Sequence, residues 1–135
     1  MRRALLVLVL AVVAAGCSDD APAEPEAFVD RSRLPGCGTI VFDGAGVLSS
    51  DEEDAERCFR GADVDGFPAE LEVVHFTVEG DPIRTYLRSL EGEPGVEVFI
   101  DSTESEGGRW RHLRCAGLAA EFIEAVDCRP VTTDR

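Results

Sequence analysis

From Val73 to Cys115 apolar and polar residues alternate with a period of two, and Gly, Pro and acidic turns cut the alternation at short intervals. Val74, Phe76 and Val78 alternate with His75, Thr77 and Glu79 before Gly80, Asp81 and Pro82 end the run. Ile83, Thr85 and Leu87 then alternate with Arg84, Tyr86 and Arg88, and Val96, Val98 and Ile100 with Glu97, Phe99 and Asp101. Leu113 and Cys115 share parity against Trp110, His112 and Arg114. Such a pattern buries one face of a sheet and wets the other, so it predicts an antiparallel meander of four strands. EGDPI reads as a turn, because Gly80 tolerates backbone angles closed to other residues and Pro82 has no N–H for a ladder.

One helix precedes the meander. Ser50 can cap it, Glu53 completes a capping box, and Asp51 to Asp54 sit at the positive end of the helix dipole. Ala55, Cys58, Phe59 and Ala62 fall on one face, predicting a helix to about Gly61 that packs on the sheet. Gly61 to Glu72 imitates a calcium loop, with Asp63, Asp65, Gly66 and Glu72 at ligand positions. Gly61 in the first ligand position and Pro68 in the place of the central aliphatic argue for a turn instead. Phe122 to Cys128 suits either a helix or a returning strand, and the strand is the simpler way to bring Cys128 back to Cys115. The predicted fold is therefore α+β: one N-terminal helix on an antiparallel meander of four to five strands, with two disulfides.

The first residues read as an address. Arg2 and Arg3 precede twelve apolar residues, Ala4 to Ala15, and Ala14, Ala15 and Gly16 lead straight into Cys17. A run of that length covers about 18 Å, short of a hydrocarbon core of about 30 Å, and so resembles a signal peptide rather than a spanning helix. Small residues before a cysteine resemble a bacterial lipobox, with Ala14 where an aliphatic residue is usual. The resemblance implies an acylated Cys17 as the mature N-terminus and a domain anchored to the outer face of the cell membrane. Residues 1–16 are then the signal peptide, 17–36 the lipidated cysteine with a disordered acidic tether, 37–131 the domain and 132–135 a tail.

Five cysteines minus Cys17 leave an even set, which outside the cytoplasm reads as disulfides. Cys37 with Cys58 and Cys115 with Cys128 join sequence neighbours and are the favoured pairs of three possible connectivities. Each closes a loop worth about 3 kcal/mol in the chain-entropy account, which matters for a domain of about 95 residues.

Acids number 27 against 13 basic residues, and every basic residue is Arg. Removing the leader leaves 11 Arg against 27 acids, a net charge of −16. A charge of that sign argues against nucleic acid as partner.

CGTIVFDGAG at Cys37 to Gly46, TVEGDPI at Thr77 to Ile83, VEVFIDSTES at Val96 to Ser105 and the late pair Cys115 and Cys128 together resemble a family of small Gram-positive lipoproteins. That family has a YTxEGDPI hallmark and is defined only as a domain of unknown function. The resemblance spans roughly Gly38 to Cys128, implies the same fold and brings no catalytic residues. The pair Cys37 and Cys58 lies outside the family pattern.

If Val74, Phe76, Val78, Leu87, Val98 and Leu113 face the helix, parity puts Arg84, Tyr86, Arg88, Phe99, Trp110 and Arg114 together on the other face. Cross-strand ion pairs and Arg resting on rings account for such a face. The alternative is a recognition surface for an anionic or sugar-like envelope ligand, with these six residues as the candidate binding face. No cofactor or metal is expected: no CxxC pair occurs, and His75 and His112 fall three strands apart, at least about 14 Å. The expected function is a lipid-anchored binding or interaction module of the cell envelope. A small envelope hydrolase using Glu79 and Asp81, or an inhibitor of an extracellular hydrolase, is the alternative.

Overall fold

The computed structural model describes residues 23–44 and 48–132. The signal peptide and Cys17 lie outside these described residues. A single turn of helix, α1 (Glu26–Val29), comes first, followed by the strand β1 (Gly36–Val41) and the long helix α2 (Ser50–Asp65). The meander is β2 (Ala69–Phe76), β3 (Pro82–Ser89), β4 (Val96–Asp101) and β5 (Trp110–Cys115). A two-residue hairpin, β6 (Gly117–Leu118) with β7 (Ala125–Val126), and β8 (Arg129–Pro130) close the chain.

The fold is α+β, one sheet of six mostly antiparallel strands in the order β1-β2-β3-β4-β5-β8. β1 is the exception, pairing with β2 in parallel. A parallel pair needs a crossover, and α2 supplies it, which is why this helix lies on the sheet face beside β1 and β2. Two of the predicted details change. The sheet has more strands than four to five, and of Phe122–Cys128, read as a helix or a returning strand, only Ala125–Val126 returns as strand (β7), Phe122–Glu124 belonging to the loop of the β6–β7 hairpin.

α2 begins one residue earlier than predicted. Ser49 is the cap: its hydroxyl accepts from the Glu52 N–H at 3.3 Å, and the Glu52 carboxylate accepts from the Ser49 N–H at 2.7 Å. Glu52 decides the frame, because from this position it also accepts the Val41 N–H at 2.8 Å on the open edge of β1. The Ser49 N–H and then the Val41 N–H hold its carboxyl below the usual range. The helix passes Gly61 and stops at Gly66, left-handed at φ 73°. Gly61 to Asp65 are thus its last turn, while Glu72 lies in β2 and accepts a hydrogen bond from the Thr39 hydroxyl at 3.1 Å. Among the described residues no cluster of His, Cys, Asp and Glu is placed to hold a metal ion.

The core lies between α2 and the sheet. Ala55 and Phe59 from the helix meet Ile40, Leu71, Val73, Leu87, Val96 and Val98, all buried. In β2 the parity is opposite to the sequence reading: Leu71 and Val73 face the helix, whereas Val74 is half-buried, Phe76 is 48% exposed and Val78 is 99% exposed. The alternation continues in both directions along Ala69–Val78, so either parity fits locally. Pairing resolves it, since Leu71 lies opposite Leu87 and Val73 opposite Thr85.

Both favoured disulfides are present. Cys37–Cys58 ties β1 to α2, and Cys115–Cys128 ties the end of β5 to the segment after β7. Beside the second bond, Gly95 has φ 79°, and a Cβ there would overlap the Cys115 carbonyl oxygen. Gly95→Ala is expected to cost about 2 kcal/mol from backbone strain and the displaced carbonyl. A urea midpoint matching the parent chain would contradict this packing.

Candidate functional site

The six residues of the predicted face do share one side of the sheet, because Tyr86 pairs with Phe99, Arg88 with Glu97 and Glu97 with Arg114 across β3, β4 and β5. Tyr86, Phe99 and Trp110 converge into an aromatic box. The box is filled by the chain itself. Phe28 of α1 is buried with its ring centroid 4.4 Å from Trp110, 4.8 Å from Tyr86 and 5.3 Å from Phe99. The Arg31 guanidinium sits 3.6 Å above the Phe28 ring.

Each of the three Arg on this face has acidic partners. Arg88, only 3% exposed, donates from Nε to Glu70 at 2.9 Å, pairs with Glu97, and donates to the Ser32 carbonyl at 2.6 Å. Arg31 reaches the same Glu70 carboxylate at 3.2 Å, and His112 meets Glu97 at 3.0 Å while stacking on Phe99. Arg84 pairs with Glu104 and Arg114 with Glu93. Residues 23–33, read as part of a disordered tether, are therefore a strap across the sheet from Phe28 to Ser32. Phe28 was the signal: an aromatic residue in a segment otherwise poor in anything to bury.

The opposite side of the sheet holds the concave feature. α2 covers β1 and β2 but leaves β4 and β5 open toward one end, and the β6–β7 hairpin covers the remainder only in part. Between them lies a cavity of about 540 Å³. Its floor is two rows of cross-strand neighbours, Val73, Thr85, Ile100 and Arg111 in one, and Leu87, Val98 and Leu113 in the other. Phe122 and Ile123 wall it from the hairpin, and Cys128 adds its disulfide. At the mouth His75 lies flat on Phe42, ring centroids 4.7 Å apart and planes 9° from parallel.

Arg60 fixes the hairpin that makes one wall. It pairs with Glu56 at 2.7 Å and donates to the Ala119 carbonyl at 2.8 Å, joining α2 to the loop. A size of this order is that of small-molecule sites, which carry a mostly apolar lining and a few polar groups, as here.

No family model, no curated protein and no solved structure matches this chain.

Glu79 and Asp81, the carboxylates a hydrolase would use, belong to the turn between β2 and β3. There the Thr77 N–H donates to the Asp81 carbonyl at 2.9 Å, and the Asp81 N–H to the Thr77 hydroxyl at 3.1 Å. The cavity escaped the sequence reading because the inverted parity of β2 had placed His75 on the other face. Arg111, a charged residue at a core-facing position of β5, was the available hint.

Proposed function

We propose that this chain is an extracytoplasmic lipoprotein whose domain, moored to the membrane through acylated Cys17, acts by binding a small molecule in the cavity on the helix side of the sheet. The cavity carries this reading. It is apolar along its floor, polar at few points, and built on paired strands that hold its shape. Two disulfides accord with an oxidising compartment. Kinship with the small Gram-positive lipoproteins, drawn from TVEGDPI and its context, belongs to the same proposal. The Arg and aromatic face then serves chiefly as a second packing layer under the strap.

The test uses the environment-sensitive dye 8-anilinonaphthalene-1-sulfonate. The native chain is expected to bind it with a blue-shifted rise in emission, and Thr85→Phe, which fills the floor, to abolish the rise. Arg114→Ala on the opposite face is expected to leave it unchanged. Equal dye binding by Thr85→Phe and the parent chain, both still folded, would refute the assignment of the cavity.

A further inference from the structure

Resting on the reading of the cavity as a ligand site, the charge at its edge specifies the ligand further. Six of the described Arg residues have a carboxylate partner: Arg31, Arg57, Arg60, Arg84, Arg88 and Arg114. Arg111 is among those that form no ion pair with any described residue, and of these it is the one that lines the cavity. It is exposed at the open edge of the cavity, on the helix-side parity of β5, directly across from Ile100 and two residues before Leu113.

In a chain with 27 acids, a guanidinium left without an acidic partner beside an apolar floor is available to an anion from outside. His75 at the mouth and the Thr85 hydroxyl, one strand beyond Ile100 in the same row, add hydrogen-bonding groups. Glu124 also borders the cavity, from the hairpin lip, and is exposed. A carboxylate there repels an anion that enters along the lip and favours one that settles against β5.

We infer that the cavity takes an amphiphile with an apolar body and a single anionic head, the body lying over Ile100 and Leu113 against Phe122 and the head held by Arg111. A free fatty acid and an alkyl phosphate share this chemistry.

The experiment is calorimetric titration of the full chain carrying Cys17→Ser, so that no acyl group of its own competes. Decanoate, decyl phosphate, decanol and decyltrimethylammonium share one chain and differ in the head. Decanoate or decyl phosphate is expected to bind about tenfold tighter than decanol, and the ammonium more weakly than either anion. Arg111→Gln is expected to bring the anions down to the affinity that decanol has for the same variant, and Glu124→Gln to strengthen the anion. The advantage should also shrink as salt rises, a readout that needs no variant. Whichever anion binds more tightly tells carboxylate from phosphate. Decanol binding as tightly as both anions overturns the inference while leaving the cavity as a site. If none of the four amphiphiles binds, the inference and the reading it rests on both fail.

Discussion

Arg88→Met is expected to remove about 3–5 kcal/mol of folding stability, more than any other single change of charge in this domain. Arg88 is 3% exposed, and its guanidinium satisfies the Glu70 carboxylate, the Glu97 carboxylate and the Ser32 carbonyl at once. Met fills much of the same volume, so the cost comes from what is left behind. Two carboxylates would then share a largely dry layer beneath the strap, with Arg31 and His112 as their remaining partners. Burying an uncompensated charge is far more costly than losing an exposed ion pair, for which 0–1 kcal/mol is usual. At about 4–8 °C per kcal/mol for a domain of this size, melting should fall by roughly 12–40 °C.

The double variant Arg88→Met with Glu97→Met is expected to recover part of that loss, since it removes one stranded charge along with its partner. A loss below 1 kcal/mol for Arg88→Met alone would show that water or a rearranged strap solvates the two acids.

Phe28→Ala is expected to cost about 3 kcal/mol and to act locally. Truncating a buried Phe ordinarily costs about 3–5 kcal/mol. Here the loss is capped, because the strap can leave the sheet without opening it, and the penalty cannot exceed what docking the strap contributes. Amides from 28 to 33 should exchange much faster in the variant, while those of β3 and β4 keep most of their protection.

The single Tyr and single Trp of the chain both line the box that Phe28 fills, which makes the event visible. Trp110 emission should shift to the red. Burial pushes the Tyr86 phenol above its ordinary value, with the nearby Glu72 adding to the effect. The neutral phenol is therefore the form that the folded state favours. Its contribution to stability is complete below the unfolded value of about 10 and is lost as pH rises beyond it. In Phe28→Ala the phenolate absorbance should appear at lower pH than in the parent chain. Identical titrations would mean that Phe28 does not shield Tyr86.

Much of this architecture is legible in order along the chain. The bounds of β4 and β5, the turn at EGDPI, the helix within one residue of its start and the favoured disulfide pairs follow from period, caps and neighbouring cysteines, because each depends on residues close in sequence. The six-residue face is legible for the same reason: on three strands of known parity, Tyr86, Phe99 and Trp110 must converge.

What escaped depends on distant partners. Ala69–Val78 can bury either parity, and only pairing with Leu87 and Thr85 selects Leu71 and Val73. The strap looked like a spacer because one Phe cannot form a core alone; it needs an aromatic box assembled from three strands some sixty to eighty residues away.

The amino-acid sequence by itself determined the α+β class, an even set of four cysteines for two disulfides and the kind of residues β3, β4 and β5 would carry on each face, since local periodicity and chain connectivity suffice for these. The tertiary structure alone decided which face is open. Whether an aromatic and arginine surface meets water or its own N-terminal segment, and whether a core-facing Arg finds an acid or a cavity, depends on free energies of packing between segments that no local pattern records.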